Sequence, residues 1–197
     1  MSTFQQATGV SSRGASSKTF MRWTVEEYHS LVRSGILHGR KIELLQGDLV
    51  EVAPEGPKHT ARTASGAEYL RQQFGGLALV REAHPITLSS SEPEPDLAVV
   101  RGQSHSEYEE RHPYPEDIFL IVEIAQSTLA YDLGEKKQIY AEAGIQEYWV
   151  LDTTGRRLYV FRNPVAGKYT ESLVSKSGEL KLAAFPTVAL SVDAIVR

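Results

Sequence analysis

Between Trp23 and Val192 the chain alternates between segments whose apolar positions recur at helical spacing and shorter runs with strand-like patterning. "WTVEEYHSLVRSGIL" begins a helix. Thr24 followed three residues later by Glu27 is a capping box, and Gly35 suits the helix end. "KIELLQGDLVEVAP" predicts a hairpin turning at Gln46-Gly47-Asp48. Pro57 opens a second helix, "PKHTARTASGAEYLRQQF", which stops at Gly75-Gly76. "LALVREAHPITL" predicts one or two strands, and "PDLAVV" another. "DIFLIVEIA" is apolar, mostly β-branched or aromatic, and too short for a typical helix, so it reads as a strand buried on both faces. "YDLGEKKQIYAEAG" predicts a helix closed by Gly144. "QEYWVLD", "RRLYVFRN" and "KYTESLV" form a meander with Gly155 and Gly167 in its turns, and "PTVALSV" is a last edge strand. Without repeat or linker, the sum is one α+β domain over residues 20–197 with a mixed sheet and few helices.

Residues 1–19 change that picture only at the margin. They are rich in Ser, Thr, Gln and Gly, lack acidic residues and show no helical face, which predicts a disordered tail rather than a targeting segment. Apolar residues make up 41% of the 197, and no run is long enough to span a bilayer. The absence of cysteine excludes disulfides, thiolate nucleophiles and Cys-based zinc sites, and a cytoplasmic location is the default expectation. A net charge of −4 argues against a protein that coats nucleic acid, but it does not exclude a local basic groove.

The familiar catalytic signatures are missing: no Walker loop, no G-x-G-x-x-G, no H-E-x-x-H and no G-x-S-x-G elbow. Three positions remain. Asp96 opens the strand "LAVV", and Glu123 lies near the end of the buried strand. A lone ionised carboxylate there costs several kcal/mol unless it is paired. On a helical wheel with Leu133 at zero, Ile139, Tyr140 and Ala143 define an apolar arc at about 240–340°. Lys136 falls inside it at about 300°, whereas Lys137 falls near its edge at about 40°. The helix therefore turns Lys136 toward the sheet, where an anion must meet it. A structural account is an Asp132–Lys136 helix pair, or a Glu123–Lys136 lock between helix and sheet. A functional account is a phosphodiester site in which two carboxylates hold Mg²⁺ and a lysine stabilises the attacked phosphate.

At these residues the sequence resembles a known pattern. Pro95-Asp96 followed by Glu123-Ile124-Ala125 is similar to the PD-(D/E)XK nuclease signature. The set "KIELLQGDLVEVAPEGPKH", "EPDLAVV", "LIVEIAQST" and "YDLGEKKQIYAEAGIQEYWVLD" closely resembles the Uma-type family of that superfamily, over residues 20–165. The resemblance implies an α/β, restriction-endonuclease-like core with flanking helices and extra antiparallel strands. It implies Asp96 and Glu123 as metal ligands, with the Ile124 carbonyl as a further one, and Mg²⁺, replaceable by Mn²⁺, as cofactor. The superfamily's usual lysine position is Ala125 here, a departure. In the Uma-type pattern a helix lysine in Asp-x3-Lys-x3-Tyr takes its place, and Asp132, Lys136 and Tyr140 match that spacing. Glu43 matches an acidic residue of the first strand, an auxiliary carboxylate, and His59 matches a position for a phosphate or water contact. "AQST" stands where the family often has Ser-Pro-Ser-Thr, which removes no charged group.

The expected activity is an endonuclease on DNA. The alternative is a catalytically idle, nucleic-acid-binding or structural protein on the same fold. Lys58, Arg62 and Arg71 are candidate phosphate contacts, or else an ordinary solvated helix face. Nucleases that cut both strands are often two-fold dimers, so a homodimer is the expected assembly. Tyr148, Trp149, Tyr159 and Phe161 of the meander are either core or interface.

Overall fold

The computed structural model describes residues 20–196, and the polar segment 1–19 lies outside the described residues. In chain order, helix α1 (Val25–Ser34) is followed by strands β1 (Ile42–Leu45) and β2 (Asp48–Glu51), helix α2 (Pro57–Phe74), and strands β3 (Leu79–Glu82), β4 (Leu97–Val100) and β5 (Ile118–Ala125). A helical crossover comes next: α3 (Leu129–Tyr131), a π-helical turn (Asp132–Lys136) and α4 (Lys137–Glu142). Strands β6 (Glu147–Asp152), β7 (Arg157–Val165), β8 (Lys168–Ser175), β9 (Glu179–Leu182) and β10 (Phe185–Ser191) and helix α5 (Val192–Val196) complete the described chain.

Local chemistry sets the first elements. The Thr24 hydroxyl accepts the Glu27 amide and the Glu27 carboxylate accepts the Thr24 amide, so α1 starts on a full capping box. It ends at Gly35, in the left-handed region with φ 76°. The β1–β2 hairpin turns through Gln46 and Gly47, both with positive φ, the backbone that matches strand twist in a two-residue loop. A Cβ on Gly47 would stand 2.9 Å from the Arg22 Cβ, so the turn also needs glycine for space. The hairpin is fastened to the main sheet's connections by the Leu44–Glu92 bridge and by the Gly47 amide on the Ser90 carbonyl.

The main sheet has six strands in the order β3-β4-β5-β6-β7-β8. Only β5 and β6 are parallel, which is why a helical crossover must join them. Side chains alternate across this sheet. Leu97, Val99, Leu120, Val122, Ile124, Trp149 and Leu151 face one core with Leu70 and Phe74 of α2. Ala98, Val100, Ile121, Ala125, Tyr148 and Val150 face the other, with Ile139 and Tyr140 of α4. Glu123 lies between Ile121 and Ala125 in this alternation, and Asp96 is two residues before Ala98. Both acids therefore project toward the crossover helix. β4 and β5 pair in register, Leu97 with Val122, so the two acids sit side by side just past the last paired residues.

One expectation changed and one open alternative closed. The expected last strand does form, over Phe185–Ser191, but it pairs only with β9, in a hairpin apart from the main sheet. The edges of that sheet are β3 and β8. The β9–β10 hairpin is held by Glu147, which takes the Trp149 ring N–H, the Arg162 guanidinium and the Ala183 amide. The meander aromatics are core. Tyr148 and Trp149 are fully buried, and Tyr159 and Phe161 pack against the α4-side cluster.

One bond ties the start of the π-helical turn to β6: the buried Tyr148 hydroxyl donates to the Asp132 carbonyl at 3.0 Å. Tyr148→Phe removes that donor from a buried bond, at an expected cost of about 0.5–1.5 kcal/mol. Urea unfolding measures it, and a loss below about 0.5 kcal/mol would show that the turn does not depend on this bond.

Candidate active site

Glu123 is only 3% exposed, yet its carboxylate is well served. The Lys136 ammonium donates to Oε1 at 2.9 Å, and the Tyr140 hydroxyl donates to the same oxygen at 2.7 Å. Lys136 and Tyr140 are one α-helical turn apart, so a single helix face delivers both donors. The other oxygen, Oε2, has only a long contact, 3.4 Å from the Asp96 amide. Asp96 uses Oδ2 twice: it accepts the Ile124 amide at 2.6 Å and faces His59 Nε2 at 3.1 Å. Its Oδ1 takes neither bond.

The π-helical turn separates Asp132 from Lys136. No Asp132–Lys136 ion pair forms; Asp132 instead accepts the Thr128 hydroxyl at 2.6 Å. The extra residue in the turn lets the chain leave β5 and still present Lys136 and Tyr140 together, and such turns recur at functional sites. Lys137 points elsewhere, its ammonium 5.0 Å from the Phe161 ring centre.

Asp96, Glu123, Asp132 and Lys136 line a cleft of about 340 Å³. The β1–β2 hairpin walls one side with Glu43 and, just before it, Lys41; the start of α2 contributes His59. Glu43 is 2% exposed, and its Oε2 has no hydrogen-bond partner among the described residues. The structure thus brings Glu43, His59, Asp96, Glu123 and Lys136 to one place. Lys58, exposed on α2, and Arg62, half-buried, are not part of the lining, and Arg71 is engaged with Glu82. Among the lining residues that had not been singled out are Lys41, Glu55 and Glu94. Lys41 bridges the two acids, at 3.1 Å from Glu55 and 3.7 Å from Glu94. Glu94 had a signal, since it precedes Asp96 by two residues in an extended stretch. Glu55 lies in an irregular loop and had none.

Carboxylates outnumber cations on these walls, and several of the buried groups hold protons tightly. Burial pushes the Glu123 carboxyl up to about 8, against the pull of Lys136 and with the push of Asp96 and Asp132. Burial also raises Glu43 and Asp132. Burial would lower Lys136, but the charges of Glu123 and Glu43 outweigh it and hold the ammonium protonated. The Asp96 hydrogen bond raises His59 to about 9, overcoming its partial burial.

A group whose folded pKa lies above its unfolded value stabilises the fold fully below the unfolded value, and that contribution is lost as pH rises through the folded one. For Glu123 the window runs from its ordinary 4.5 to about 8, and for His59 from 6.5 to about 9. In chelator, the melting temperature should therefore fall as pH climbs through these windows. Glu123→Gln should flatten the profile between pH 5 and 8. Parallel profiles for wild type and variant would refute the assignment.

The fold and sequence also place the chain among known proteins. Its fold is similar to a crystal structure described as a putative nuclease belonging to DUF820 from Anabaena variabilis, with a TM-score of 0.66 and 16% identity. That match covers 88% of this chain and 97% of the other, and at such identity it speaks to the fold alone. No curated protein sequence matches. Among the described residues, no helix is long and apolar enough to cross a membrane. The sequence itself matches the Uma2 family, described as "Putative restriction endonuclease", over residues 25–193, a stretch that contains all of Glu43, His59, Asp96, Glu123 and Lys136; the chain belongs to that family.

Proposed function

We propose that the protein is a Mg²⁺-dependent endonuclease that hydrolyses phosphodiester bonds of DNA, built as one domain over residues 20–197 and acting in the cytoplasm as a homodimer. The observation that carries this reading is the pairing of Asp96 and Glu123 on adjacent strands, with Lys136 bonded to Glu123 at the same cleft. Asp96 Oδ1 and Glu123 Oε2 lack strong partners, and the buried Glu43 Oε2 has none among the described residues. Oxygen donors of this kind fit a hard divalent cation, which Asp96 and Glu123 would hold with Glu43 as an auxiliary carboxylate. A bound ion supplies positive charge to a phosphoryl oxygen and acidity to a coordinated water.

The chain's own groups do the rest. Tyr140 and Lys136 pin Glu123 Oε1 and leave Oε2 toward the Asp96 side. His59 and the Ile124 amide orient Asp96 through Oδ2. Lys136 sets a positive charge beside the reacting phosphate and opposes the charge that develops there. His59 at the rim, with Lys58 just before it and Arg62 about one turn on in α2, contacts the nucleic-acid backbone. Two-fold pairing would present one such cleft to each strand of a duplex. The second reading, an idle site on the same fold, draws on the Glu123–Lys136 bond, which by itself also serves as a lock between helix and sheet.

Nicking of supercoiled plasmid with Mg²⁺ or Mn²⁺ tests the proposal. Asp96→Asn should abolish both nicking and metal binding at this pair while leaving the fold intact. Lys136→Ala should slow nicking by about 100- to 1000-fold. Lys137→Ala should change it little. A wild type that cuts no nucleic acid, with Lys136→Ala destabilised by about 3–5 kcal/mol, would assign the pair to structure alone.

A further inference from the structure

We propose that the cleft takes an unpaired nucleotide: Tyr131, with Val50, Val52 and Pro54 of the hairpin wall, forms a slot for one base, so that single-stranded or locally melted DNA is the substrate and intact duplex a poor one. The inference rests on the proposed nuclease function and names the state of the strand that is cut.

The cleft lining divides by chemistry. Asp96, Glu123, Glu43 and Lys136 make its charged part. The apolar part comes from two other places: Val50 in β2 with Val52, Ala53 and Pro54 just after it, and Tyr131 at the end of α3. Val50 and Tyr131 are half-buried, and each packs against the same α4-side core cluster while lining the cleft. Both are therefore held in place before any ligand enters. The backbone that carries the Tyr131 ring is fixed through the next residue. The Asp132 amide donates to the Thr128 carbonyl at 3.0 Å, and the Asp132 carbonyl accepts the Tyr148 hydroxyl at 3.0 Å. Burial, with the charge of Glu135, raises the Tyr131 phenol to about 12, so the ring stays neutral in an acidic cleft.

Charge decides against a duplex. Binding of duplex DNA draws mainly on cations that meet phosphates along the backbone. Here the cations are already engaged: Lys41 with Glu55 and Glu94, Lys136 with Glu123, and Arg40, next to Lys41, with Glu51. Stacking of a base on an aromatic ring needs no such charge, and one stacked base strengthens binding by about 5- to 150-fold. A slot beside the reacting carboxylates thus supplies affinity where the acidic walls withhold it.

Size agrees. A cleft of about 340 Å³ lies at the small-ligand end of binding sites and accommodates one nucleotide. A base within a duplex is stacked and paired and must first be extruded, whereas an unpaired base enters without that cost.

The test gives the full chain three probes of one sequence: a single-stranded DNA oligonucleotide carrying 2-aminopurine, its perfect duplex, and a duplex with a mismatched bubble at the fluorescent base. Quenching on mixing reports stacking, and cleavage with Mg²⁺ or Mn²⁺ is followed on the same probes. Wild type should quench the single strand and the bubble, and should cut both at least about fivefold faster than the perfect duplex. Tyr131→Ala should abolish the quenching and lose about 5- to 150-fold in affinity for the single strand, in KM more than in kcat. Tyr131→Phe, which keeps the ring, should behave as wild type. The comparison among probes needs no variant, so misfolding of a mutant does not blunt it. Equal cutting of duplex and single strand, or a Tyr131→Phe protein as impaired as Tyr131→Ala, overturns the slot and leaves the proposed function standing. Tyr131-dependent quenching in a protein that cuts nothing upholds the slot and overturns the proposed function. A wild type that neither binds nor cuts any probe overturns both.

Discussion

A buried carboxylate, Glu123, is the constraint around which the site is arranged. It occupies an inward-facing position of a strand whose other residues are apolar. Its cost is offset by an ammonium, a phenol and a backbone amide, drawn from the crossover helix and the neighbouring strand. The ammonium and the phenol are there only because β5 and β6 are parallel. A parallel pair needs a crossover, and the crossover lays α4 over the face that carries Glu123.

The second organising fact is a surplus of negative charge at low exposure. Glu43, Asp132 and Glu123 are each nearly inaccessible, and burial raises the proton affinity of each. Lys136 and His59 are the internal cations that make the cluster tolerable. A phosphate would meet repulsion in such a cleft unless further positive charge entered first, so the acidity that argues against direct DNA attraction is what a cation site requires. Under the proposed function, stability and function pull in opposite directions here, since the same desolvated acids that weaken the fold at high pH would be the oxygens offered to a metal.

Helix start, strand end and hairpin each contribute one wall. The first turn of α2 brings His59, the ends of β4 and β5 bring Asp96 and Glu123, and the β1–β2 hairpin brings Glu43. The family match spans all of these residues, and the fold is similar to a solved structure described as a putative nuclease.

Much of this was legible from local pattern. Capping box, hairpin turn, the α2 boundaries and the buried strand follow from chemistry within a few residues. The helical wheel picked Lys136 over Lys137, because the phase between Lys136 and Tyr140 is a local property that survives the π-helical turn. Asp96 and Glu123 became a pair in sequence only through resemblance, since spacing along a chain does not state which strands are neighbours. Beyond that reach lay the π-helical turn, whose register has no residue signature, and the β9–β10 hairpin, whose short strands pair away from the main sheet. Lys41 and Glu55 were equally hidden. They sit in irregular backbone, where no period aims a side chain, and only the packing of hairpin against helix start brings them to the cleft. Local periodicity decides which way a side chain faces; only the folded sheet order decides what it faces.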